Sequence, residues 1–259
     1  MKRMGMTVLP HWDFVDYEAA LTFLKENPGR YVFKPSGSIS SENKGILFIG
    51  QEETGSDLIE VLGRNKKAWS RKFRRFQLQK YAHGVEVAAG AFFNGKEFIS
   101  PININFEHKK LFPGDIGPST LEMGTLMYWS ESNKIFSSTL EKMKQPLTEC
   151  GYIGYIDINC IANSNAVYPL EFTARFGYPT LAIQLEGILN PVAEWFYKLA
   201  KGENFTFRTK KGFQVGVVVA IPPFPYHDRW EAEIYRDSSI VFKKQNFEGI
   251  HLGDVKLVE

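Results

Sequence analysis

From Tyr155 to Ile161 polar and apolar residues alternate one for one, the period-two signature of a half-buried strand. Asn163-Ser164-Asn165 follows as turn chemistry, since asparagine tolerates positive φ and bonds nearby backbone. Val167 to Phe176 resumes a strand whose first half Pro169 weakens. Upstream, Phe14, Ala19, Leu21, Phe23 and Leu24 recur at roughly helical spacing over residues 13–27, and Pro28-Gly29 ends that helix. A short strand, Arg30 to Lys34, leads through the small-residue loop Pro35 to Ser41 into a second strand at 45–50. Residues 54–68 read as a helix opened by Thr54 or Ser56, with Asp57 in its first turn. Strands at 76–80 and 85–93 precede the Asn94-Gly95 turn, which returns the chain into a strand at 98–104. Helical patterns occupy 137–150 and 180–201. Gln214 to Ile221 opens an all-β tail that ends in short strands near 239–243 and 255–258. One stretch, Glu107 to Gly124 (EHKKLFPGDIGPSTLEMG), follows neither period. It is too rich in glycine, proline and charge for core, and reads as a long functional loop.

Composition narrows the class without naming a function. The 259 residues are 44% hydrophobic and 23% charged, as in ordinary globular chains. A net charge of +2 points to neither a nucleic-acid nor a membrane partner. No run reaches the length of a membrane span, and the first ten residues lack the apolar core of a signal peptide. The two cysteines, Cys150 and Cys160, have no metal spacing and fit a reducing cytoplasm.

Candidate chemistry gathers on the 154–177 hairpin. Centred on Ser164, the hairpin places Asp157 opposite Glu171, and facing carboxylates repel unless a cation lies between them. Hard oxygen ligands suit magnesium. Thr173 and Arg175 share the face of Glu171. The competing reading leaves both acids on a solvated face with the register off by one residue. Lys34 ends the first strand before the small-residue loop, an arrangement able to lay an ammonium and backbone N–H groups over a polyphosphate. A plain hairpin connection explains the same loop. Seven of the twelve residues in Arg64 to Arg75 are basic, with Trp69 and Phe73 interleaved. That run suits a nucleic-acid backbone or, more simply, a solvated helix face.

Four motifs in order, VFKPSGS, QKYAHGVEV, EHKKLFPGDIGPSTLEMG and PLEFTARFG, resemble the ATP-grasp superfamily. The closest likeness is to the phosphoribosylamine–glycine ligase family, and it extends from about Met6 to the β tail. It implies an α+β fold, two subdomains gripping ATP between antiparallel sheets, with a small C-terminal β region. The corresponding division is a linker helix region at 1–30, a small lid subdomain at 31–82, a large subdomain with the metal site at 83–205, and an incomplete β region at 206–259. By the same resemblance Lys34 reaches the ATP phosphates, beneath a loop that includes Ser36, Gly37 and Ser38. Gln79 replaces an acid that contacts the adenine amino group, the backbone of Lys80, Tyr81 and Ala82 meets the adenine edge, and Glu86 binds the ribose. Asp157, Glu171 and Thr173 are the implied magnesium ligands, and Arg175 stands beside the transferred phosphate. His108, Lys109, Asp115, Gly117, Pro118 and Thr120 belong to the implied substrate loop.

The implied activity is ADP-forming carboxylate–amine ligation through an acyl phosphate, with ATP and Mg2+ as cofactors. A small carboxylate and a small amine are the expected partners, with no membrane and no nucleic acid. The departures from the family are specific. Glu-x-Asn is Glu171-Phe172-Thr173, Gly-Asp-Pro-Glu is Gly177-Tyr178-Pro179-Thr180, and Gly-Gly-Met-Gly is Leu121-Glu122-Met123-Gly124. These changes favour substrates other than those of the glycine ligase over that purine-pathway ligase itself. They also leave open a non-catalytic nucleotide-binding relative or interaction module. The family places a domain before the equivalent of Met6 and continues past the equivalent of Glu259, so a trimmed or reduced chain is expected, with a separate N-terminal domain or partner chain.

Overall fold

The structure is a computed structural model that describes residues 1–36, 47–226, 229–244, 246–253 and 255–256. The chain divides into two compact units, Met1–Val85 with Ile161–Pro169, and Glu86–Cys160 with Leu170–Glu259.

The first unit carries a four-stranded antiparallel sheet. Its strands are β1 (His11–Phe14), β2 (Tyr31–Ser36), β3 (Phe48–Ile49) and β4 (Arg75–Lys80), in the order β1-β4-β2-β3. The first helix, α1 (Tyr17–Glu26), starts later than its apolar spacing predicts. Asp16 caps it, accepting from the N–H groups of Glu18 and Ala19, while Phe14 pairs across the sheet with Phe76. Helix α2 (Ser56–Lys72) runs on through most of the basic stretch. Arg64 lies on its solvated side and pairs with Glu60 one turn earlier. Tyr17, Leu24, Phe33, Leu58, Leu62, Phe76 and Leu78 fill the core under both helices. Residues 1–30 thus build into this sheet and its core.

The second unit is organised by a six-stranded sheet. Its strands are β5 (Val85–Asn94), β6 (Phe98–Phe112), β7 (Ile116–Ser130), β8 (Ile153–Ala162), β9 (Val167–Thr173) and β10 (Phe213–Val217), in the order β10-β7-β6-β5-β8-β9. The stretch expected to be a loop, 107–124, is instead a long hairpin. β6 and β7 pair from Ile102 with Ser130 out to Phe112 with Ile116. Its glycines mark the turn, not disorder of the strands: Gly114 and Asp115 both take positive φ, 74° and 58°. The ladder is interrupted near its end. His108 pairs with Gly124 but Lys110 pairs with Ser119, so one residue of β6, Lys109, stands against four of β7 and residues 120–123 leave regular alternation.

Helical patterns are likewise broken into shorter pieces. The 137–150 segment yields α3 (Lys134–Ser138), a 3-10 turn (Leu140–Met143) and α4 (Lys144–Glu149). The 180–201 segment divides into α5 (Thr180–Gly187) and α6 (Val192–Ala200) around Pro191, which cannot donate to a continuing helix. In the tail, β10 ends at Val217 and α7 (Arg229–Glu233) follows. Residues 239–243 are irregular, not the expected strand, and Leu257 and Val258 lie outside the described residues. The aromatic core of this unit joins Phe92, Tyr155, Trp195, Leu199 and Phe207. Among the described residues, no helix is long and apolar enough to cross a membrane.

Candidate functional site

In the second unit, strands β8 and β9 set the acids. The turn between them closes through the Asn163 N–H, which donates to the Ala166 carbonyl at 3.1 Å, while Asn163 Oδ1 accepts from the N–H groups of Asn165 and Ala166. The two turn residues are therefore Ser164 and Asn165, and the centre falls half a residue beyond Ser164. Asp157 is buried, and hydrogen bonding from the Thr173 hydroxyl on β9 is one of the influences on its carboxyl. Glu171 and Arg175 are exposed but still act on Asp157 through their charges. β9 is an edge strand, which is where Pro169 costs no ladder partner.

Burial lifts the Asp157 carboxyl to about 7, the Glu107 charge adds to that, Thr173 and Arg175 oppose it, and Glu171 adds again. Among the described residues no three His, Cys, Asp or Glu side chains form a metal-ligand group. Two mutually repelling carboxylates and a hydroxyl are nonetheless a hard-oxygen set that a magnesium ion relieves, so these residues fit that ion.

A second network lies on the adjacent strands. Lys109 of β6 forms ion pairs with Glu86 of β5 and, at 3.4 Å, with Glu107. Asn159 Nδ2 donates to the same Glu86 oxygen at 3.1 Å. Burial depresses the Lys109 ammonium, but the hydrogen bonds and charges of Glu86 and Glu107 outweigh it and raise its pKa. Of the residues assigned to a substrate loop, Lys109 thus locks Glu86. His108 Nε2 donates to the Phe112 carbonyl at 2.9 Å, and the Thr120 hydroxyl donates to the Lys109 carbonyl. Asp115 sits in the turn, and Gly117 and Pro118 sit in β7 beside the register shift.

Glu122, Glu107 and Asn159 were not among the expected site residues. Alternation of Asn103, Asn105, Glu107 and Lys109 along β6 carried a signal for Glu107. Nothing local pointed to Glu122. It is buried and accepts from the hydroxyls of Thr125 and Thr180. Burial pushes its carboxyl up to about 7; the Thr125 hydroxyl opposes this, Glu107 adds to it, and Thr180 and Lys109 oppose it.

Both raised carboxyls tie stability to pH with a definite sign. The native chain binds more protons than the unfolded chain from about pH 4 to about pH 7, so stability is full below that window and falls as pH rises through it. Glu122→Gln, which keeps the shape without the charge, is expected to flatten this fall and raise the melting temperature at about pH 8. Thermal unfolding of the two proteins across that range checks it. Equal slopes would show that Glu122 titrates normally.

In the first unit, Lys34 lies in β2 opposite Gln77, and Ser36 ends the strand. Gly37 and Ser38 lie outside the described residues. Gln79 is buried in β4, paired with His11 on one side and Val32 on the other. The N–H groups of Lys80 and Tyr81 donate to the carbonyls of Pro10 and Arg30, at 2.8 and 3.0 Å. The Arg30 guanidinium lies 3.6 Å from the centre of the Tyr81 ring. The hairpin tip braces the next turn. Asn163 Nδ2 donates to the His83 carbonyl at 2.7 Å, and a Cβ on Gly84 would stand 2.6 Å from the Ala162 carbonyl oxygen.

These features, a small antiparallel sheet with a lysine on an inner strand and a larger one bearing a buried acid next to an edge strand that carries a carboxylate, define an ATP-grasp fold. The chain belongs to the family described as phosphoribosylglycinamide synthetase, ATP-grasp (A) domain, whose profile matches residues 1–181. Among curated relatives, phosphoribosylamine–glycine ligase of Listeria innocua is 28% identical over 236 residues, covering 88% of this chain and 55% of that protein. The Lactococcus lactis protein of the same name is 26% identical, covering 87% and 54%. The chain therefore spans about half the length of the curated relatives it matches. Phosphoribosylamine–glycine ligase from Thermotoga maritima superposes with a TM-score of 0.67 at 22% identity, over 87% of this chain and 58% of that one. N5-carboxyaminoimidazole synthetase from Staphylococcus aureus, complexed with ADP, superposes at 0.53 and 14% identity, over 81% and 50%. These two likenesses show the fold alone.

Proposed function

We propose that this chain is an ADP-forming carboxylate–amine ligase that works through an acyl phosphate, on substrates other than phosphoribosylamine and glycine. The observation that carries the reading is buried Asp157 grouped with Thr173, Glu171 and Arg175 on β8, β9 and the segment after them, in a chain of this family. Ligases of this class use ATP and Mg2+. Asp157, Glu171 and the Thr173 hydroxyl would hold Mg2+, which supplies charge neutralisation for phosphoryl oxygens.

The chain's own groups do the positioning. Lys34 offers an ammonium to the phosphates. Lys109 and Asn159 both engage Glu86 Oε1, so the second carboxylate oxygen is the one we assign to the ribose hydroxyls. Gln79 presents an amide to the adenine amino group. With the Lys80 and Tyr81 N–H groups already engaged, contact to the base edge falls to the carbonyls of this segment and to Ala82. Arg175 places its guanidinium beside the transferred γ-phosphoryl, where it stabilises charge as that group passes from ATP to the substrate carboxylate. The amine then attacks the acyl carbon, the C–N bond forms, and inorganic phosphate leaves with the acyl oxygen. The loss of acids at Tyr178 and Thr180, relative to the glycine-ligase motif, supports changed substrates. The half of the relatives' length that this chain does not span is where a separate domain or partner chain would complete the acceptor site.

Calorimetric titration with ATP, with and without Mg2+, tests the reading on the wild type and on Glu171→Ala. Binding that needs magnesium and is lost in the variant is the expected result. Absence of any ATP binding by the wild type would overturn it in favour of an interaction module.

A further inference from the structure

Two of the departures from the ligase motif touch each other. Where that motif has glycine at position 122 and glutamate at position 180, this chain has Glu122 and Thr180. The Thr180 hydroxyl donates to both oxygens of Glu122, at 3.2 and 3.1 Å. In place of the carboxylate missing from the start of α5, one from β7, on a residue that replaces glycine, meets the position-180 side chain. The register shift over residues 120–123 is what lets Glu122 turn toward Thr125 and Thr180.

The surroundings of this carboxylate are left with polar groups to satisfy. Glu122 is 8% exposed, and among the described residues no basic side chain forms an ion pair with it. Two hydroxyls take part of its four acceptor positions, and Lys109, whose ammonium is paired with Glu86 and Glu107, acts on it through charge without an ion pair. One turn beyond Thr180 on the same face of α5 stands Gln184, fully buried, with neither amide atom hydrogen-bonded among the described residues. The Tyr155 hydroxyl faces Gln184 without completing a hydrogen bond of proper geometry. Buried polar side chains almost always have partners, so an unpartnered amide one helical turn from the threonine that binds a buried carboxylate without an ion pair marks a place for a donor-rich cation.

We propose that Glu122, with the Thr180 hydroxyl and the Gln184 side-chain carbonyl, forms a subsite for a primary ammonium group. An ammonium has three donors and no acceptor, which matches one carboxylate and one amide oxygen. The identification of that ammonium as the acceptor amine of the reaction rests on the ligase reading above; the subsite itself does not. Glu122 is then a specificity-determining residue, and relocation of its carboxylate from position 180 redirects how the amine approaches.

The test is a titration of the whole chain with methylammonium chloride, following the Gln184 side-chain amide signals by 15N NMR, with tetramethylammonium chloride as the control cation that cannot donate. A saturable shift with methylammonium alone is expected. Glu122→Gly should weaken it by about ten- to a hundredfold, the size of a lost charge-assisted hydrogen bond. Adding Thr180→Glu to that variant, which moves the carboxylate back, should recover most of the loss. Equal or unsaturated responses to the two salts in the wild type overturn the inference, whether or not the variants fold, as does unweakened binding by Glu122→Gly. ATP titration of the same samples separates the two claims. ATP binding without a methylammonium response sinks the subsite alone. A methylammonium response without ATP binding sinks the ligase reading and leaves the subsite standing.

Discussion

Trp195→Ala is expected to lower the unfolding free energy of the chain by about 3–5 kcal/mol, the cost of removing a fully enclosed aromatic side chain. Trp195 is 0% exposed, stacks on Phe196 at 3.8 Å between ring centres and meets Phe92 edge-on at 4.7 Å. Its indole N–H is buried without a partner among the described residues, so deletion also removes a desolvated donor and the loss should fall toward the lower end. Trp195→Phe removes the donor while keeping most of the ring, and is expected to cost less than about 1.5 kcal/mol. Guanidinium unfolding of the three proteins measures both. A loss below about 1 kcal/mol for the alanine variant would mean that this cluster is not a core. The cluster matters beyond stability. Phe176, next to Arg175, stacks on Tyr155 at 5.4 Å and meets Phe92 at 6.0 Å, and Tyr155 lies two residues before Asp157. The same rings that hold the sheet together also hold both ends of the candidate acid–guanidinium group.

Arg175→Ala is expected to reduce ADP release, in a screen of small acids and amines, by about 10²–10³-fold, the loss found when one preorganised charge-stabilising donor is removed from a transition state. ATP affinity should change far less, because in the proposed reading Lys34 and Glu86 also hold the ground-state nucleotide. Arg175→Lys should recover little, since an ammonium cannot reproduce the planar fork of donors. The guanidinium is exposed and, among its described partners, donates to the neighbouring Phe176 carbonyl at 2.9 Å, so its removal leaves no buried charge behind. A large fall in ATP affinity with unchanged turnover would reassign Arg175 from the transferring group to nucleotide binding. Comparison of turnover with calorimetric affinity for the same variant decides between them.

Local pattern was enough for most strands and for the chemistry of the central hairpin. Period-two alternation put Asp157 and Asn159 on one face of β8, and turn residues placed the reversal at 163–165. These are properties of a few consecutive residues, and the backbone obeys them wherever nearby partners allow. Pattern failed where a distant partner overrode it. Residues 107–124 look like a loop until β6 and β7 supply each other's hydrogen bonds, and only then do Gly114 and Asp115 become a turn. Residues 13–16 carry helical spacing, yet pairing of Phe14 with Phe76 draws them into a sheet and leaves Asp16 to cap the helix. The influence of Thr173 on Asp157 depends on how β8 and β9 face each other, which no count of residues along one strand reveals. Glu122 is the clearest case. Read in its own strand it is a charged residue in place of a glycine, and read 58 positions away Thr180 is a lost acid. Only the packing of α5 against β7 makes the two substitutions one event, because hydrogen-bond distance is a property of space and not of sequence separation.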